Sequence, residues 1–116
     1  MSNFPVTPST KVVDVFIAAY NAHDAKTFAA QFVENANAYE HPGELAQEGS
    51  AGLEAYYARR FQELPYLRTE ILHRIVIGDY VIDHERVQRA ADQEPFDTLA
   101  INLVREGKIQ RLDIVR

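Results

Sequence analysis

The residue pattern predicts an α+β domain in which three helices precede an antiparallel sheet curved around a small hollow. Two observations carry this reading. Apolar residues recur at helical spacing through the first 64 positions, and from Leu67 onward the spacing changes to strand alternation broken by Gly-containing turns. Helices first and a meander afterwards place the helices on one face of the sheet. A length of 116 residues suits one hydrophobic core, so residues 1–116 are read as a single domain.

The elements follow in order. Residues 1–7 form an irregular lead-in. Thr7 then caps a helix with Pro8 in its first turn, where a missing N–H is harmless. Val12, Val13, Phe16, Ile17 and Tyr20 make its apolar stripe. Asn21-Ala22-His23-Asp24 ends that helix, and Asp24 caps a short second one carrying Phe28, Ala29 and Phe32. Asn37–Glu40 reads as a brief strand before the turn His41-Pro42-Gly43. Ser50 is the expected cap of a third helix, with Leu53, Tyr56, Tyr57, Phe61 and Leu64 on one face and Pro65 as its stop. Four strands complete the chain, at roughly 67–77, 80–90, 96–105 and 108–115. Gly78-Asp79 and Arg105-Glu106-Gly107-Lys108 make tight hairpins, and 91–95 is a longer loop.

Composition excludes several functions. The net charge is −5, whereas nucleic-acid and anionic-membrane surfaces need clustered Lys and Arg. No apolar run is long enough to span a bilayer, and the first residues carry no export signal, so a cytoplasmic setting is expected. There is no cysteine, hence no disulfide framework and no thiolate chemistry. No phosphate-binding, nucleophile-elbow or dinucleotide fingerprint occurs, and a cofactor-independent site is expected.

The run Phe16-Ile-Ala-Ala-Tyr-Asn-Ala-His-Asp24 is followed by Phe28, Phe32, Glu40-His41-Pro42, Gly49 to Tyr57, Ile77-Gly78-Asp79 and Gly107-Lys108-Ile109. In this order the motifs resemble the nuclear transport factor two-like superfamily, in particular its SnoaL-like and ketosteroid-isomerase-like members, over about residues 9–116. The resemblance implies a cystatin-like cone with a ligand cavity inside. It is specific for architecture and weak for chemistry, because the superfamily holds cyclases, isomerases, hydrolases, dehydratases and non-catalytic proteins.

Ketosteroid isomerases move a proton beside a carbonyl with a carboxylate base, and a phenol and a protonated acid hold the enolate oxygen. By resemblance the phenol position falls on Phe16, the protonated acid near Ala100, and the base on His41. Neither Phe16 nor Ala100 can donate a hydrogen bond, so steroid isomerisation by that route is not expected. A histidine remains a competent base near neutral pH, and Pro42 holds its backbone extended.

Val81-Ile-Asp-His-Glu-Arg-Val87 places four ionisable residues in mid-strand. Alternation puts Asp83 and Glu85 on one face, and His84 and Arg86 on the other with Ile82. The resemblance turns the second set toward the cavity, which makes His84 a second catalytic candidate and Arg86 an anchor for an anion or carbonyl. The competing reading has Arg86 paired with a neighbouring acid and His84 satisfied by an ordinary hydrogen bond. His73 could approach His84 across the hairpin, but no metal-ligand spacing is present and no metal is expected. Tyr20, Tyr39 and Tyr56 need partners for their hydroxyls and are expected to line the hollow with Phe16 and Asn102. Glu40 is read as solvated or as the partner of an arginine.

Two functional classes follow. One is a small enzyme acting by acid–base chemistry on an apolar carbonyl or cyclic molecule, with His41 as base. The other is a non-catalytic ligand-binding or dimerisation domain whose cone is packed shut by Phe16, Phe32, Tyr56 and Phe61. A homodimer through the outer sheet face is expected, with Val81, Val87, Leu99, Ile101 and Leu103 contributing, and with Asp83 and Glu85 paired to arginines there.

Overall fold

The computed structural model describes residues 4–116. Along them run α1 (Pro8–Asn21), α2 (Ala25–Ala30), β1 (Phe32–Glu40), β2 (Glu44–Glu48), α3 (Gly49–Glu63), β3 (Arg68–Ile77), β4 (Tyr80–Gln88), β5 (Phe96–Arg105) and β6 (Lys108–Val115). The strands form one curved sheet in the order β2-β1-β6-β5-β4-β3, and the three helices pack on its concave side.

The caps explain the first two helices. Thr7 and Thr10 form a reciprocal capping box, with the Thr10 amide donating to Thr7 Oγ1 at 3.1 Å and the Thr7 amide to Thr10 Oγ1 at 2.7 Å. Asp24 accepts from the Thr27 amide at 3.0 Å and starts α2. That helix ends at Ala30, short of Phe32, which it was expected to carry, because the Gln31 carbonyl accepts from the Ile109 amide and draws the chain into the sheet. Phe32 therefore opens a nine-residue β1, of which the sequence revealed the final four residues. The short β2 was not anticipated.

The third helix begins at Gly49, so Ser50 lies inside its first turn and is not its cap. Gly49 adopts φ +74°, and its amide donates to Asn37 Oδ1 at 3.0 Å. A Cβ there would meet the Glu34 carbonyl oxygen at 3.2 Å, a second reason for glycine.

The four C-terminal strands fall close to the expected bounds, although β4 ends at Gln88. One pairing departs from a fully antiparallel sheet: β1 runs parallel to β6, bringing Ala38 beside Leu112. Register shifts between Ile71 and His73 and between Leu103 and Val104 bend the sheet around the helices. Phe16, Phe28, Phe32, Tyr57 and Phe61 fill the space between, with the Phe16 and Phe28 ring centroids 4.6 Å apart and Phe28 and Tyr57 4.5 Å apart.

The two sheet faces differ sharply. Val81, Asp83, Glu85 and Val87 of β4 turn inward and are buried. Asp83 is wholly buried against Arg74, which donates from Nε at 2.7 Å and from Nη2 at 2.9 Å, while Arg74 Nη1 reaches Asp14 of α1 at 2.7 Å. Asp83, Glu85, Val81 and Val87 are therefore unavailable to an outer-face interface, contrary to expectation. Leu99, Ile101 and Leu103 do face outward, beside the exposed Ile75, Ile77 and Tyr80. Among the described residues no helix is long and apolar enough to cross a membrane.

Candidate functional site

A cavity of about 60 Å³, counted as room for the centres of water-sized molecules, lies between the helices and the sheet. Its apolar wall comes from Phe16 and Ile17 of α1, Phe28 of α2, Val87 of β4, Phe96 and Ala100 of β5, and Leu112 and Ile114 of β6. The polar lining is Tyr20, Tyr56, Tyr57, Arg60, Thr69, Glu85, Thr98 and Arg116. Phe32 and Phe61 fill the core beside it, yet the cone is not packed shut.

Glu85 is the buried acid of this cavity, with 8% of its surface exposed. Its Oε1 accepts from Thr69 Oγ1 at 2.9 Å. Thr69 is fixed in turn by Asn21 at the end of α1: Asn21 Oδ1 accepts from the Thr69 amide at 2.8 Å, and Asn21 Nδ2 donates to the Thr69 carbonyl at 3.0 Å. Helix α1 thus positions the carboxyl through two intervening contacts. Burial pushes the Glu85 carboxyl up to about 7; Thr69 opposes that rise, Asp83 adds to it and Arg74 opposes it. A carboxyl with this value is shared between its acid and base forms at neutral pH.

Three phenols line the same cavity. Among the described residues the hydroxyls of Tyr20, Tyr56 and Tyr57 have no hydrogen-bond partner, and none is sealed from the cavity. Burial raises the Tyr20 phenol to about 12, with the Glu85 charge adding to the effect, and burial raises Tyr57 further. Both remain hydrogen-bond donors throughout the ordinary pH range. Arg60, half-buried on α3, and the exposed Arg116 border the cavity. Arg116 is held by Glu40, whose two oxygens accept from Nε and Nη2 at 3.0 Å each, so Glu40 is an arginine partner as expected.

The cavity collects Phe16, Tyr20 and Tyr56 from the residues singled out in the sequence, and leaves the others outside. His41 is exposed in the turn after β1 and does not line it. The His41 amide donates to the Ile114 carbonyl at 2.8 Å, which ties the turn to the C-terminal end of β6 and leaves the imidazole exposed. His84 and Arg86 lie on the outer sheet face and share Asp97, His84 Nε2 meeting Oδ2 at 2.8 Å and Arg86 Nε meeting Oδ1 at 3.2 Å. The His73 and His84 rings do approach, stacked at 5.4 Å. Tyr39 is also on the outer face, under the Arg111 guanidinium at 3.9 Å and accepting from Asn37 Nδ2 at 3.2 Å. Asn102 shares the inward face with Thr98 and Ala100 but is fully buried past the cavity, donating to the Val81 carbonyl at 3.3 Å.

Sequence reasoning missed Glu85, Thr69, Tyr57, Arg60 and Arg116. One signal was available for Glu85. A two-residue hairpin at Gly78-Asp79 sets Arg74 opposite Asp83, and this charge-complementary pair shares its face with Val76 and Val81. The matched ion pair is the distinguishing mark, since the opposite face carries Ile75, Ile77, Tyr80 and Ile82, and Glu85 follows from Asp83 by parity.

The solved structures agree with the fold. A cystatin-fold protein from Novosphingobium aromaticivorans is 29% identical, with a TM-score of 0.87 over 97% of this chain and all of that one. A protein provisionally described as a polyketide cyclase, from Sinorhizobium meliloti, is 16% identical, with a TM-score of 0.77 over 94% of this chain and 99% of that one. TerC, co-crystallised with polyporic acid, is 18% identical, with a TM-score of 0.75 over 93% of this chain and 90% of that one. No curated protein matches the sequence. The SnoaL-like domain profile matches residues 13–112, and with the cone and cavity described above this chain belongs to the SnoaL-like family.

Proposed function

We propose that the protein is a cofactor-independent enzyme that moves a proton on a small apolar carbonyl or cyclic molecule, with Glu85 as the acid–base group. The observation that carries this reading is a buried carboxyl opening into an apolar cavity among three unpartnered phenols. In its carboxylate form Glu85 takes a proton from carbon beside the substrate carbonyl. Negative charge then develops on the carbonyl oxygen, where the Tyr20 hydroxyl can donate. Return of the proton from Glu85 to a different carbon completes an isomerisation. Attack of the enolate carbon on a second carbonyl, which takes up that proton, closes a ring. The fold shared with the polyketide cyclase-like protein supports either outcome. Glu85 replaces His41 and His84 in this role, because both histidines lie outside the cavity.

Deuterium exchange at C1 of 2-tetralone in D2O, followed by NMR, tests the chemistry without knowledge of the natural substrate. The protein should accelerate exchange, Glu85→Gln should reduce the acceleration by roughly 100-fold or more, and His41→Ala should leave it unchanged. Full exchange activity in Glu85→Gln would remove the proposal and leave a passive ligand-binding domain as the better reading. We propose further that the protein acts in the cytoplasm as a homodimer joined through the outer sheet face around Ile75, Ile77, Tyr80, Ile101 and Leu103. Light scattering at micromolar concentration checks the dimer, and a monomer mass would exclude it.

A further inference from the structure

We propose that the molecule bound in this cavity is itself an anion, a flat apolar body carrying one carboxylate or ionised enol that docks against Arg60. The inference rests on the site described above and adds the chemical class of its ligand. Arg60 lines the cavity from the last turn of α3, and among the described residues no carboxylate lies within ion-pairing distance of it. Of the two arginines that line this cavity, Arg60 is the one without a carboxylate partner among the described residues.

The neighbours of Arg60 strengthen the reading. Its guanidinium sits 6.0 Å from the Tyr56 ring centroid, on the side chain one turn earlier in the helix. Arg116 borders the same cavity, but its Nε and Nη2 are committed to Glu40, which leaves Arg60 as the free charge. The positive field of both arginines reaches the interior, where it acts on the Tyr20 and Tyr57 hydroxyls. The rings of Phe16, Phe28 and Phe96 line the same cavity. A planar acid can therefore lay its body on these rings, set its charge against Arg60, and carry its carbonyl to Glu85 and Tyr20. A cation at a helix C-terminus also stabilises the helix dipole, so the test must read ligand charge and not merely the presence of Arg60.

An isosteric pair does this. Calorimetry at pH 7 would compare 2-naphthoate with 2-naphthamide, on the wild-type protein, Arg60→Gln and Arg60→Lys, with circular dichroism confirming that each variant is folded. The acid should bind about tenfold or more tightly than the amide. Arg60→Gln should erase that preference while sparing the amide, and Arg60→Lys should restore part of it. Equal binding of acid and amide by the wild-type protein, an undiminished preference in Arg60→Gln, or no binding of either probe at millimolar concentration would overturn the inference. The two proposals fail separately. Equal binding together with lost tetralone exchange in Glu85→Gln would discard the anion and keep the acid–base site. A charge preference that depends on Arg60, with exchange intact in Glu85→Gln, would do the reverse.

Discussion

Asp83 and Glu85 point into the molecule from β4, while His84 and Arg86, their neighbours in sequence, point out of it. The outward pair shares the exposed Asp97 and stays in contact with water. The inward pair is split between two fates. Asp83 is matched by the Arg74 guanidinium and held in place by it. Glu85 receives one hydroxyl and no opposite charge in contact, so burial outweighs the opposing effects of Thr69 and Arg74. The lesson is that burial alone does not make a carboxyl reactive. Within one face of one strand, a partnered acid is structural and an under-partnered one is available for chemistry.

The strongest way to break this contrast is to remove the partner that makes Asp83 structural. Asp83→Ala leaves the buried Arg74 with Asp14 alone and should destabilise the protein by about 3–5 kcal/mol, read from urea unfolding. A loss below 1 kcal/mol would mean that Asp14 and water replace Asp83 readily.

Next is the pH dependence of Glu85. Its folded value, near 7, exceeds the ordinary 4.5, so the folded state holds the proton more tightly than the unfolded chain. Its contribution to stability is fully present below about 4.5 and is lost as pH rises through about 7. Glu85→Gln stays neutral and should flatten that slope, gaining up to roughly 3 kcal/mol over wild type at pH 8. Denaturant curves between pH 5 and 8 provide the measurement, and parallel pH profiles for the two proteins would contradict the raised value.

A smaller effect is expected at the cavity wall. Phe16→Tyr adds a hydroxyl at a position bordering the cavity, where water can satisfy it, so the cost should stay under about 1 kcal/mol. A loss nearer 3 kcal/mol would mean that the ring edge is sealed. The least effect belongs to the outer face, where His84→Ala should leave the thermal midpoint within error of wild type.

The caps of the first two helices, both hairpins and the strand parity were legible because each is written within a few residues: Thr7-Pro8, Asp24, Gly78-Asp79 and Glu106-Gly107. The parity of residues 83 to 86 was also read correctly. Which parity faces the core was not, since that depends on what the next strand presents, and the register with Arg74 decides it. His41 was misplaced for a similar reason: proline fixes the local backbone, but the hydrogen bond from the His41 amide to the Ile114 carbonyl anchors the turn, and Ile114 lies 73 residues away in sequence. Arg60 and Arg116 line one cavity only because helix α3 and the residue that follows β6 both border it.

The parallel pairing of β1 with β6 has a consequence during synthesis. As the chain leaves the ribosome from its N-terminus, β1 and β2 emerge early, yet the strand that joins them to the rest of the sheet is the last of the six. Until β6 is free of the exit tunnel, β1 carries an unpaired edge and the sheet is split into β2-β1 on one side and β5-β4-β3 on the other. Native pairing of β1 must therefore wait for β6, and Asn37, Ala38 and Tyr39 spend that interval with their β6 partners absent. A ribosome stalled before Lys108 would hold a chain still open to proteases and chaperones, and release of the last strand is the event that closes the cone.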